Sequence, residues 1–204
     1  MLNIVSVAVM ICLPLLIYFG YKEGIEPRFI AFALLLFYGI RSGIFKKKSL
    51  RSILKSKQLY VVGSIILFFG IVIALNRATF FLYIPAFVNL GLLLSFGSTL
   101  FLGPPIIETF ARRQVKKISA EEIHYCRNLT VLWSLFFLLN GTVSVIIALK
   151  DNMEYWVIYN GFISYILIGL FFAVEMTYRY WRFRNYGTTI IDSFYKRIFK
   201  EKHK

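Results

Sequence analysis

Apolar runs of about twenty residues, separated by short polar turns, recur along the whole chain. The clearest pair lies between Cys126 and Arg179: Asn128 to Leu149, then the turn Lys150-Asp151-Asn152-Met153-Glu154, then Tyr155 to Met176. At 1.5 Å rise per residue, each run matches a hydrocarbon core about 30 Å thick. The pair therefore reads as a helical hairpin set in a membrane. Four more runs precede it, at about Leu2 to Gly20, Phe29 to Phe45, Leu59 to Leu75 and Thr79 to Gly103. The expected fold is all-α, a polytopic membrane helix bundle of six transmembrane helices arranged as three hairpins, in a single integral domain over 1–204.

Local features agree with this division. Met1-Leu2-Asn3 lacks a positive n-region, and Phe19-Gly20-Tyr21-Lys22-Glu23 offers no small-residue cleavage site, so the first run reads as a retained helix. Pro14 is tolerated inside a membrane helix. Arg41, near the end of the second run, reaches the headgroups by snorkelling. Gly103-Pro104-Pro105 ends the fourth run sharply. Ser119 followed by Glu122 is a capping-box pattern that starts the fifth helix several residues before it enters lipid.

The polar intervals predict amphipathic helices on the membrane surface. Leu50, Ile53 and Leu54 fall at helical spacing among the cations of Lys46 to Lys57. Ile106 to Val115 sets Ile106, Ile107 and Phe110 against Arg112, Arg113, Lys116 and Lys117. The tail, about 188–204, carries a stripe of Ile190, Ile191, Phe194, Tyr195, Ile198 and Phe199 with Lys196, Arg197 and Lys200 off it, and should lie flat on the membrane.

Composition supports the membrane class: 58% hydrophobic and 17% charged, with a mean hydropathy of +0.68, against about 25% charged in soluble domains. A net charge of +14 raises the question of nucleic acid. The cations sit beside apolar spans, however, so anionic membrane lipid is the expected partner and nucleic acid is not. With both termini cytoplasmic, 20 of the 24 Lys and Arg fall inside, and only Lys22, Arg28, Arg77 and Lys150 outside. The opposite orientation would invert the positive-inside bias. Cys12 and Cys126 are too few and too differently placed for a disulfide framework or a metal site.

The most specific internal pattern is a layer of amides. Asn140-Gly141 and Asn160-Gly161 lie 11 and 9 residues from Asp151, hence within about 3 Å of one depth. Asn89 is 10 residues into the fourth run, about 15 Å deep, at the same level. Asn89, Asn140 and Asn160 would line a polar cavity or serve as interhelical glue, and the adjoining glycines favour glue. A second group, Glu108, Arg112, Arg113, Arg127 and Glu175, is expected at the cytoplasmic face, as a phosphate-binding cluster or as ion pairs closing the bundle. His124 reads as a solvated side chain. No catalytic signature is present, neither H-E-x-x-H, G-x-S-x-G nor a Walker A loop, and no cofactor site. Internal repeats and a mid-depth ionised residue, the usual marks of a coupled carrier, are also lacking.

Val88-Asn89, Gly103-Pro104-Pro105-Ile106-Ile107-Glu108, Ala111-Arg112, Tyr125, Arg127, Trp133, Phe136-Phe137, Asn140-Gly141, Trp156, Tyr159-Asn160-Gly161 and Glu175 together resemble a family of uncharacterised bacterial inner-membrane proteins. Some of its members are misleadingly labelled as DNA gyrase, and many are encoded near aryl polyene or fatty-acid-like synthesis genes. Thr109-Phe110 departs from the Arg-Leu the family prefers. More distantly, Pro14 before Tyr21-Lys22, the basic run after the second span and Phe136-Phe137 are similar to septation protein A. The second resemblance implies a multi-span envelope protein working through partners at sites of cell-wall synthesis. With no catalytic signature, the expectation is a non-enzymatic inner-membrane protein that organises or assists cell-envelope or lipid-assembly machinery, with envelope or lipid-synthesis proteins as partners. The alternative is a lipid-handling component for acyl or head-group transfer or export, with the amide layer as its pocket. Self-association is compatible with either.

Overall fold

A computed structural model describes residues 4–42, 58–114, 118–183, 194–195 and 197–198. The basic segment Lys46 to Lys57, residues 43–45 of the second run, Val115 to Lys117 and most of the tail lie outside the described residues. All regular structure among the described residues is helical. In order it comprises α1 (Ile4–Lys22), α2 (Pro27–Ser42), α3 (Gln58–Leu75), a short α4 (Thr79–Leu82), α5 (Ile84–Leu102), α6 (Ile106–Gln114), α7 (Ala120–Leu149), α8 (Met153–Ile158), a π turn (Tyr159–Ile163) and α9 (Ser164–Phe183).

Three stretches are long and apolar enough to cross a membrane: Thr79–Leu102, Ala120–Leu149 and Met153–Phe183, of 24, 30 and 31 residues. They point to a multi-pass membrane protein. Pro27–Phe37 and Ile65–Leu75 are shorter apolar stretches. The outward surface agrees. Along α7, Leu132, Leu135, Leu139, Ile146 and Leu149 are exposed, while Thr130, Ser134, Asn140 and Ser144 are buried. That is the reverse of a soluble helix, and it fits a solvent that offers no hydrogen bonds. Exposed Glu121, His124, Arg127 and Asn128 give way to exposed Val131 and Leu132 on the same helix. From Asn128 to Lys150 the helix rises about 33 Å, the thickness of a bilayer core with little to spare.

Two compact units divide the chain, Met1–Gly161 and Phe162–Lys204. In the first, α5 packs along α7 more extensively than any other pair, followed by α2 on α3 and α6 on α7. Aromatic rings fill the α5–α7 seam: Phe96 meets Phe137 edge-on at 5.1 Å, and Trp133 stacks on Phe137 at 5.5 Å. The deepest core joins Ile17, Ala31, Val72, Phe81, Leu82, Ala148, Trp156 and Val157. These residues flank the α1–α2, α3–α4 and α7–α8 connections, so all three turns gather at one end of the unit. Asn76 ties two of them: its Oδ1 accepts from the Arg28 backbone N–H at 3.1 Å, and its Nδ2 donates to Glu26 at 3.2 Å. Glu26 also pairs with Arg28. Asn76 and Asp151 hold positive φ of 48° and 49°, the left-handed conformation with which helices commonly end and which asparagine and aspartate tolerate.

Three local features bear on the sequence reading. The capping box is present: Ser119 Oγ accepts from Glu122 N–H at 3.2 Å, and the Glu122 carboxylate accepts from Ser119 N–H at 2.8 Å. The fourth run is not one uninterrupted helix, because Tyr83 separates α4 from α5 just ahead of Pro85, which lacks an N–H to continue the ladder. The sixth is interrupted by the π turn at Tyr159-Asn160-Gly161, where apolar length alone predicts a plain α-helix.

Candidate functional site

Asn89 on α5, Asn140 on α7 and Asn160 in the π turn are all buried, at 8%, 7% and 4% exposure, and all belong to the first unit. They are joined by a chain of hydrogen bonds. Asn89 Nδ2 donates to the Pro85 carbonyl at 2.8 Å, and Asn140 Nδ2 donates to Asn89 Oδ1 at 3.1 Å. Asn140 Oδ1 accepts from the Tyr159 hydroxyl at 2.8 Å. Asn160 does not touch Asn140 through its amide; Ser144 stands between. The Ser144 hydroxyl lies 2.9 Å from the Asn140 carbonyl and 2.8 Å from Asn160 Oδ1, sharing its one proton between these acceptors. Asn160 Nδ2 turns back to the Trp156 carbonyl at 3.2 Å, and Trp156 Nε1 donates to the Leu82 carbonyl at 2.8 Å.

The chain therefore begins and ends on main-chain carbonyls three residues apart, Pro85 inside the first turn of α5 and Leu82 at the end of α4, where the break at Tyr83 follows. A carbonyl in hydrocarbon without a donor costs several kcal/mol, so a side-chain donor at such a break has an evident role. At Leu82 the Trp156 indole supplies it. Tyr159 and Asn160, adjacent in sequence, both reach α7, one to Asn140 and one to Ser144.

The two glycines of the repeated Asn-Gly differ. A methyl at Gly141 would meet Asn89 Cβ at 3.1 Å, so the missing side chain lets α5 and α7 close on each other. At Gly161 it would meet Val157 at 3.4 Å and Pro14 at 3.7 Å, ordinary contact. A groove of about 270 Å³ beside the α5–α7 seam is lined by apolar side chains including Tyr83, Phe87, Leu90, Phe137 and Val145, with Gly141 and Thr142; none of the three asparagines lines it.

The charged residues divide between the units. On α6, Glu108 is buried at 5% exposure, and its Oε1 accepts from Arg112 Nε at 2.7 Å with a second guanidinium nitrogen at 2.6 Å. Glu108 also sits in the first turn of α6, where the helix dipole favours an acid. The N–H of Ile106 at the start of that helix is satisfied by Thr99 Oγ1 of α5 at 3.0 Å, which pins the Gly-Pro-Pro corner. Arg113 and Arg127 are exposed. On α9, Glu175 faces Arg179 one turn on at 3.4 Å, and the Arg179 guanidinium lies 5.4 Å from the Tyr180 ring centre.

Counting along the sequence puts the three asparagines at one depth but does not join them to Tyr159, Ser144 and Trp156, which complete the chain, nor Glu175 to Arg179. The i, i+4 spacing of Asn140 to Ser144, Trp156 to Asn160 and Glu175 to Arg179 was the available signal. Among the described residues no group of three His, Cys, Asp or Glu side chains could hold a metal ion. No family model, curated protein or solved structure matches this chain.

Proposed function

We propose that the chain is a non-enzymatic, six-span inner-membrane protein that organises or assists cell-envelope or lipid-assembly machinery. The observation that carries this reading is the closed chain from Pro85 to Leu82. Its amide groups are engaged with one another, with Tyr159 and Ser144, and with main-chain carbonyls, which is what interhelical glue requires. In this reading α1, α2 and α3 are the remaining spans, and the three gathered turns face outward. The basic segments then face the cytoplasm, ready for anionic lipid and acidic partners. The envelope context comes from the likeness of Pro14, the basic run and Phe136-Phe137 to septation protein A, and the lipid-assembly context from the resemblance carried by the Gly-Pro-Pro corner and the paired Asn-Gly motifs.

Co-purification from native membranes in mild detergent, with bound proteins and lipids identified, tests the reading. Stoichiometric recovery of envelope or lipid-synthesis proteins is expected. Recovery of the folded chain with lipid alone would count against it. A lipid-handling role finds one favourable observation in the apolar groove beside Gly141 and Thr142, which has the character of an acyl-chain site. Asn140→Ala separates the two: loss of folded protein fits glue, whereas loss of a lipid product at normal folded levels favours lipid handling.

A further inference from the structure

Among the described residues of the tail, Tyr195 meets α9 while Phe194 and Ile198 are exposed. The Tyr195 ring lies parallel to that of Tyr180, with centroids 4.4 Å apart and planes at 17°, and the Tyr195 hydroxyl meets that of Thr177 at 2.8 Å. Tyr180 is buried. Residues 194–195 and 197–198 are helical. Phe194 touches the edge of Tyr195 yet is 60% exposed, and Ile198 is 54% exposed. At 3.6 residues per turn, Phe194 and Ile198 share a face, with Tyr195 turned roughly 80° to one side of it and Arg197 roughly 80° to the other.

We propose that Phe194 and Ile198 insert into the headgroup–acyl boundary of the bilayer that α9 crosses, with Tyr195 as the bracket that sets the angle of insertion. This deepens the proposed function and rests on its reading of α9 as a membrane span. A helix lying in the interface needs three directions served, and this one has them. Its inner flank stacks on α9 through Tyr195, its exposed face carries the apolar Phe194 and Ile198, and its outer flank carries Arg197, which is exposed. The level is right as well. The exposed ladder Phe162, Ile166, Leu170 and Val174 runs up to exposed Tyr178 and Trp181, the aromatic pair expected at a membrane–water boundary, and Tyr195 attaches at that same stretch. The sequence from 188 to 204 holds five Lys or Arg against Asp192 and Glu201, which selects an anionic surface.

Spin labels on the full chain in nanodiscs test this. Cys12→Ser and Cys126→Ala clear the native thiols; Phe194→Cys, Arg197→Cys, Ile198→Cys and Val174→Cys carry the label in turn. Nanodiscs contain phosphatidylglycerol with phosphatidylcholine, or phosphatidylcholine alone. Labels at 194 and 198 should collide with oxygen in preference to a water-soluble nickel chelate, and the label at 197 should show the reverse preference. That contrast should shrink without phosphatidylglycerol and vanish with Tyr195→Ala. Chelate access at 194 and 198 overturns the proposal, and so does exclusion of both reagents there, which would mean a protein covers the face. Equal contrast in the neutral lipid overturns its anionic selectivity. Val174 keeps the two readings apart: chelate access there refutes the span, whereas oxygen access there with chelate access at 194 and 198 refutes the tail alone. If the thiol-free background does not fold, Ile198→Trp in the native chain, read by brominated-lipid quenching, replaces it. Added quenching supports insertion; its absence overturns it.

Discussion

Asn140 gives a hydrogen of its amide to Asn89 across 3.1 Å, and the direction of that bond is dictated from outside the pair. The Pro85 carbonyl can only accept, so it claims Asn89 Nδ2 and leaves Asn89 Oδ1 facing Asn140. Asn140 must then turn its nitrogen to Asn89 and its oxygen to Tyr159. Removing either amide leaves a partner unsatisfied in a medium that supplies no replacement.

Asn89→Ala and Asn140→Ala should therefore each lower the thermal stability of the detergent-solubilised protein. The double variant should lose less than the two together, with a coupling of about 0.6–2 kcal/mol. A double-mutant cycle on unfolding midpoints reads this directly. Strict additivity would mean the pair does not hold α5 to α7.

Gly141→Ala and Gly161→Ala should separate, although both glycines follow an asparagine. The first places a methyl 3.1 Å from Asn89 Cβ and should destabilise; the second meets only ordinary contacts and should be close to neutral. Melting of the two variants side by side checks the difference. Equal loss would mean that the glycines serve a common purpose.

Trp156 combines complete burial with a bond to a carbonyl at a helix break. Trp156→Phe should cost about 1–3 kcal/mol, chiefly because the Leu82 carbonyl loses its indole donor. Trp156→Ala should cost about 3–5 kcal/mol, since a cavity is added in the deepest core. Both are measured by denaturant or thermal unfolding in one detergent.

Ser119→Ala should cost about 0.5–2 kcal/mol, because the N–H of Glu122 loses its acceptor at the start of α7. The loss should appear as fraying confined to Ala120–Arg127, seen as faster amide exchange there than at Val131 and beyond. Uniform acceleration along α7 would contradict a local cap.

Much of this architecture is legible in the chain itself. Apolar length marks the helices, Ser119 and Glu122 mark the start of α7, and counting from Asp151 and from Thr79 brings three asparagines to one depth. Counting measures height along a helix, however, and says nothing of direction around it. That is why Ser144 as the bridge to Asn160 was not legible, nor Tyr159 as the partner of Asn140. Both depend on how α7 faces α5 and α8. The break at Tyr83 and the π turn at Tyr159–Ile163 were hidden for another reason: each is stabilised by a distant side chain, Trp156 for the first region and Asn140 with Ser144 for the second. Local propensity carries no trace of such partners.

The proposed function has the chain cross the membrane six times, with its three gathered turns on one side and its basic segments on the other. Impermeant thiol labelling of single cysteines in intact cells tests it most directly, with probes at Gly24, Arg77 and Asp151 for the turns, and at Lys48, Arg113 and Lys202 for the basic segments. Six crossings predict labelling at the first three from outside, and at the second three only after the membrane is opened. Labelling of Lys48 and Lys202 from opposite sides would contradict it.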